Sequence, residues 1–166
     1  PAERVLVVGG GDGGISLRVL MHPSVRELVQ VELDEEVVKA SKQHFPFIAK
    51  AYDDPRLQLH IVDAVAWVRQ EAERQADSFD ACIIDSTDEP LISLWSKEFY
   101  AGLRRMIRPG GVLMQNIQTI DVPKQLDHLL RLQMAGGFER VRAVMMASND
   151  YESPYVGFLA SGLETA

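Results

Sequence analysis

Cysteine occurs once in 166 residues, so no disulfide framework can hold this chain together. Cys82 lies inside the apolar run 81–84 and reads as a small core residue of a protein kept in a reducing compartment. Long apolar runs are missing as well. No stretch approaches the roughly 18 residues of a membrane span and no secretory-type leader opens the chain, so the expected location is cytoplasmic, with no membrane partner. Positive charge is scarce: 17 Lys and Arg stand against 24 Asp and Glu, for a formal net charge of -7. That balance removes the electrostatic basis for binding nucleic acid and makes small cations the natural partners. The four histidines, His22, His44, His60 and His128, fall at no metal-ligand spacing, so no metal is expected. Repeats, low-complexity tracts and long Gly/Ser linkers are also lacking, which leaves a single domain over 1–166. A chain of this length buries roughly 70% of its unfolded surface, enough for a core without staples. Pro1 runs straight into a strand-forming segment with no initiator Met, as in a fragment or a trimmed chain.

What is present is regular alternation. Strands are expected at 4–8, 27–33, 57–62, 79–84, 112–116, about 139–146 and 155–160. Helices are expected at 15–21, from 34 or 35 to 44, and at 64–76, 96–107 and 122–134. Phe45-Pro46 breaks the second helix, Asp63 caps the third, and Arg108-Pro109-Gly110-Gly111 reads as a turn feeding the fifth strand. Strands alternating with helices argue for a parallel sheet covered on both faces. Residues 147–154 are too few and too polar for a helix, so the last two strands should form an antiparallel hairpin. Five parallel strands followed by such a pair describe an α/β doubly wound sheet of the class I methyltransferase-like, Rossmann-like type. Ligands of such sheets sit at the carboxyl ends of the strands, which makes the residues just after each strand the ones to read for function.

The first loop is Gly9-Gly10-Gly11-Asp12-Gly13-Gly14. Gly9, Gly11 and Gly14 satisfy G-x-G-x-x-G, and Glu32 follows at the spacing of a ribose-binding acid. The glycines alone require only a tight strand-to-helix turn. Asp12 is the informative member, because a carboxylate in this loop repels a pyrophosphate and favours a ligand with a positive group. Asp63 has two readings, a helix cap needing no ligand or an acceptor for an adenine amine. Asp85-Ser86-Thr87-Asp88 follows a nearly continuous apolar strand, where an acid has no packing purpose. Its two carboxylates, three positions apart on a loop at the cleft, can converge on one cation. With Asp12, Glu32 and Asp63 they would gather five acids in one cleft, a site that suits an adenosine ligand with a cationic sulfur next to a second, amine-bearing substrate.

The stretches VLVVGGGDGG (5–14), HPSV (22–25), VELD (31–34), DDPRL (53–57), DSTD (85–88), SKEFY (96–100) and RPGG (108–111) follow one another along nearly the whole chain. In that order the chain resembles the aminopropyltransferases, spermidine synthases most closely. The resemblance implies transfer of an aminopropyl group from decarboxylated S-adenosylmethionine, a co-substrate and not a resident cofactor, to putrescine or a related amine, with methylthioadenosine released. It implies co-substrate contacts from Gly9, Gly11, Asp12, Gly13, Glu32, Asp63, Ala64 and Asp85, with Asp12 on the aminopropyl ammonium. Asp85 and Tyr151 would carry catalysis, and Asp88, Gln115 and Tyr151 would hold the amine. Ala64 stands where the family has Gly, and Glu89-Pro90-Leu91-Ile92-Ser93 departs from the family's Gly-Pro-Ala-like run. Nothing here matches the family's N-terminal β-rich domain, and the full-length protein is expected to be a homodimer or larger. Two other readings stay open: a methyltransferase using ordinary S-adenosylmethionine, and a non-catalytic nucleoside-binding homologue.

Overall fold

The computed structural model describes residues 1–86, 94–119, 123–146 and 155–161. Strands form at Arg4–Gly9 (β1), Glu27–Glu32 (β2), Leu57–Ile61 (β3), Phe79–Asp85 (β4), Ile107–Thr119 (β5), Arg140–Met146 (β6) and Tyr155–Ser161 (β7). They make one sheet in the order β3-β2-β1-β4-β5-β7-β6. The first five are parallel; β7 pairs antiparallel with both β5 and β6. The expected hairpin is present, with its second member inserted beside β5.

Helices form at Gly14–Leu20 (α1), Glu35–His44 (α2), Pro46–Ala49 (α3), Ala64–Glu71 (α4), Lys97–Met106 (α5) and Pro123–Ala135 (α6), with a 3-10 turn at Lys50–Asp53. Asp34 caps α2 by accepting from the Glu36 N–H at 2.8 Å, and Ser96 caps α5 by accepting from Phe99 at 3.3 Å. Pro46 ends α2 as expected but also opens α3, since its missing N–H costs nothing in a first turn. The side chains of β1 sort the core into two faces by strand alternation. Leu6 and Val8 pack with Trp67, Val68, Phe99 and Leu103 of α4 and α5. Val5 and Val7 pack with Val19 and Leu20 of α1 and with Val25 and Leu28. Cys82 is fully buried, and burial pushes its thiol pKa up, consistent with a core residue.

Two expected boundaries are corrected. The third helix stops at Glu71 and does not reach residue 76. The N–H groups of Asp77 and Ser78 instead bond the carbonyls of Arg105 and Met106 at the end of α5, each at 2.9 Å, so tertiary pairing outcompetes helix continuation. Residues 108–111 lie within β5. Phe79 pairs with Ile107 and Ala81 with Val112, so these four residues bulge opposite Asp80 alone, whose carboxylate binds Arg108 Nε at 2.5 Å. Among the described residues no helix is long and apolar enough to cross a membrane.

Arg56 fastens the loops on the α1 face. Its guanidinium donates to the carbonyls of Leu20 (2.7 Å) and Val25 (2.8 Å) and bidentately to Asp54 (2.7 and 3.0 Å). Lysine cannot reproduce this fork. Arg56→Lys is expected to lower Tm by roughly 3–8 °C in a thermal melt. The Arg56 guanidinium holds the Asp54 carboxyl below its usual value. A depressed carboxyl contributes stability above its unfolded pKa of about 3.9 and loses it as pH falls through the folded value, so the gap between variant and wild type should narrow in that acid range.

Candidate active site

The carboxyl ends of β1, β2 and β4 and the start of α4 open onto one cleft of about 500 Å³, a volume suited to a small-molecule ligand. The loop 9–12, Glu32 and Asp34 after β2, Asp63 ahead of α4 and Asp85 at the end of β4 line it. Five carboxylates therefore share the cleft, and among the described lining residues there is no Lys or Arg. A cation about 4 Å from one such carboxylate gains on the order of 4 kcal/mol at an effective dielectric of about 20. Leu33 and Val37, 63% and 43% exposed, add apolar surface beside the acids, as a flat heterocycle requires.

Each acid is placed by its own backbone. Gly10 donates its N–H to the Asp85 carbonyl at 2.8 Å, tying the exit of β1 to the end of β4. Asp12 Oδ1 accepts from the Gly14 N–H at 2.9 Å, an Asx turn that starts α1 while the carboxylate stays in the cleft. Glu32 Oε1 accepts from the N–H groups of Leu33 (2.7 Å) and Asp34 (2.9 Å). Its Oε2 lies against the Gly11 Cα, where a Cβ would come within 2.9 Å of it. One oxygen is thus anchored and the other turned to the loop, the geometry for accepting from sugar hydroxyls. Asp63 Oδ1 accepts from the Ala66 N–H at 2.8 Å, which is the cap expected from sequence. Asn116 Nδ2 donates to Asp85 Oδ1 at 3.4 Å, and its own Oδ1 is buried with no hydrogen-bond partner among the described residues.

Residues 1–162 match the model of the spermine/spermidine synthase domain. The chain belongs to that family. A polyamine aminopropyltransferase of Halorhodospira halophila is 37% identical over 155 residues, covering 91% of this chain and 55% of that protein. Spermidine synthase 1 of Datura stramonium is 42% identical over 120 residues, covering 71% of this chain and 38% of the relative. A spermidine synthase solved in complex with the transition-state analogue AdoDATO superposes with a TM-score of 0.86 at 26% identity, over 96% of this chain and 55% of that one. The chain thus spans little more than half of these relatives at most.

In this spermine/spermidine synthase domain the structure brings Gly9, Gly11, Asp12, Glu32, Asp63, Ala64 and Asp85 to one cleft. Gly13 stands apart from its lining: it caps α1 at φ +84° with its Cα against the Tyr52 ring. Gln115 is 2% exposed, and its Oε1 accepts from the Tyr100 hydroxyl (2.8 Å) and Gln133 Nε2 (3.0 Å). That oxygen is engaged inside the core and Gln115 is not part of the cleft lining; its Nε2, a donor, can meet only the lone pair of a neutral amine and not an ammonium. Asp88 and Tyr151 lie outside the described residues. Sequence reasoning missed Asp34, Leu33, Val37 and Leu94 of the lining and Asn116 beside Asp85. Asp34 and Asn116 had a usable signal, since Asp34 stands two residues beyond Glu32 at the end of β2 and Asn116 directly follows Gln115.

Proposed function

We propose that residues 1–166 are the nucleoside-binding catalytic domain of a spermidine synthase-like aminopropyltransferase, moving the aminopropyl group of decarboxylated S-adenosylmethionine to putrescine or a related amine. The carrying observation is the cleft lined by Asp12, Glu32, Asp34, Asp63 and Asp85, with no Lys or Arg among its described lining residues. Glu32 takes the ribose hydroxyls, Asp63 the adenine amine and Asp12 the aminopropyl ammonium. Leu33 and Val37 flank the base.

The acceptor arrives as an ammonium, because an alkylamine has a pKa of about 10.4 and has no lone pair to attack with when protonated. Asp85, with Asp88 and Tyr151 from the same motif-based assignment, binds that ammonium and takes one proton. The freed nitrogen lone pair then forms a bond to the methylene carbon beside the sulfonium. The carbon–sulfur bond breaks, its electrons pass to sulfur, and methylthioadenosine departs as a neutral thioether. Loss of the sulfonium charge draws the ligand less strongly to an acidic cleft, which favours release. Alignment of nitrogen, carbon and sulfur supplies much of the rate. The full-length protein works in the cytoplasm as a homodimer or larger assembly, with no nucleic-acid or membrane partner.

The test is turnover of the full-length protein with decarboxylated S-adenosylmethionine and a panel of amines. The expected result is methylthioadenosine formation with a short diamine and tighter binding of the decarboxylated co-substrate than of S-adenosylmethionine, whose extra carboxylate Asp12 repels. Preference for S-adenosylmethionine with S-adenosylhomocysteine as product would overturn the reading in favour of a methyltransferase. Nucleoside binding without turnover of any amine would overturn it in favour of a non-catalytic homologue.

A further inference from the structure

Gln30 sits in the middle of β2 with no exposed surface, on the sheet face whose neighbouring position is the core residue Leu28. An amide there is costly unless every polar atom is bonded. Its Oε1 accepts from the fully buried Ser16 hydroxyl at 2.7 Å. Its Nε2 donates to the carbonyls of Gly10 (2.8 Å) and Gly9 (2.9 Å). Tyr52, 3.3 Å from the same Nε2, donates its hydroxyl to the Gly11 carbonyl at 2.8 Å. Burial pushes the Tyr52 pKa up to about 12, so this hydroxyl stays a donor at neutral pH. Three successive carbonyls of the glycine loop are therefore gripped from the side away from the cleft. Gly9 and Gly10 both have positive φ, +82° and +67°, a conformation that the grip on their carbonyls holds in place. The two loop carbonyls fix which end of the amide meets the loop, because a reversed amide would set an oxygen against both, and the Ser16 hydroxyl then holds the amide oxygen at the other end. Neither Gln30, Ser16 nor Tyr52 lines the cleft.

We propose that Gln30, oriented by Ser16 and assisted by Tyr52, is a positioning residue that sets the glycine loop and Asp12 relative to Glu32 and Asp85, and thereby the affinity for the adenosyl co-substrate. The proposal rests on the functional reading above. It is not a packing role: Met matches Gln in volume and suits an apolar strand, so a site needing only bulk has no use for the amide.

The full-length protein is titrated calorimetrically with methylthioadenosine as wild type, Gln30→Met, Ser16→Ala, Ser16→Ala with Gln30→Met, and Tyr52→Phe. Val29→Ala, buried on the same strand but facing α4, serves as the packing control. In parallel, amide hydrogen exchange is followed without ligand at Gly10 and Gly13, whose N–H groups bond the Asp85 and Gly10 carbonyls. Gln30→Met is expected to weaken binding at least about tenfold, to raise KM for the co-substrate more than it lowers kcat, and to speed exchange at both amides. Ser16→Ala should have a smaller effect that vanishes in the Gln30→Met background. Val29→Ala should lower Tm and leave affinity unchanged. Wild-type affinity and exchange in Gln30→Met, or additive effects of Ser16→Ala and Gln30→Met, would overturn the proposal. Should Gln30→Met not fold, Ser16→Ala and Tyr52→Phe decide, each removing one hydroxyl: unchanged affinity and exchange in both overturns it. Should the wild type not bind methylthioadenosine, the functional reading fails, while the exchange comparison still decides whether the grip exists.

Discussion

Asp85→Asn is expected to cut aminopropyl transfer by about 10²–10⁴-fold, the range that loss of a positioned general base produces. The substitution keeps size and shape. The bond from the Gly10 N–H runs to the backbone carbonyl of residue 85 and survives, and the 3.4 Å neighbour Asn116 can still donate to an amide oxygen. What is lost is a charge and a proton acceptor at the one acid that ends β4 inside the cleft. The ammonium of the acceptor then keeps its proton, so kcat falls and the amine KM rises. Methylthioadenosine carries no charge, so its affinity should remain within about threefold of wild type and report that the pocket is intact. Stopped-time assays of methylthioadenosine release, paired with calorimetry on the same preparation, check both halves. Wild-type kcat in Asp85→Asn would remove Asp85 as the base and move that role to another of the cleft acids.

The distinction between the acids and their supports also marks what the sequence made legible. Asp12, Glu32, Asp63 and Asp85 could be read because each lies at the end of a strand or within three residues beyond it, and the doubly wound fold places the carboxyl ends of its parallel strands on one edge. The strand at 4–8 was legible as well, but its continuous apolar run did not say which side chains meet which helices; the structure turns Leu6 and Val8 to α4 and α5 and Val5 and Val7 to α1. Gln30 was not legible, because a single polar residue in a strand looks like an exposed position until helix α1 is seen covering it with Ser16. Tyr52 was not legible because its partner Gly11 is 41 residues away and its own segment, 46–56, carried no periodic pattern. The bulge at 108–111 read as a turn because Pro-Gly-Gly marks one locally; only pairing across Asp80 reveals that the strand continues through it. Local chemistry announces itself at strand ends, whereas the groups that hold it in place are chosen by contacts far apart in the chain.

Gly9→Ala should be the most damaging small substitution in the described part of the site, and Gly110→Ala shows why. Both glycines have nearly the same left-handed backbone, φ +82° at Gly9 and +78° at Gly110, so both pay the same conformational penalty of about 1–2 kcal/mol when a Cβ is added. Around Gly110 nothing lies within 4 Å of that Cβ. At Gly9 it would meet the Asp85 carbonyl oxygen at 2.3 Å, the Asp85 carbonyl carbon at 2.9 Å and the Ser86 Cα at 3.3 Å. All three are backbone, and none can rotate aside. Relief requires β1 and β4 to separate at their carboxyl ends, which breaks the 2.8 Å bond from Gly10 to Asp85 and displaces the proposed base from the glycine loop. Gly110→Ala is expected to lose about 1–2 kcal/mol in urea unfolding and to retain full activity. Gly9→Ala should lose roughly 1–3 kcal/mol beyond that from the forced backbone shift, and should lose methylthioadenosine binding altogether. Equal unfolding free energies for the two variants, with nucleoside affinity intact in both, would mean that the ends of β1 and β4 are not in contact and that the loop is not held against Asp85.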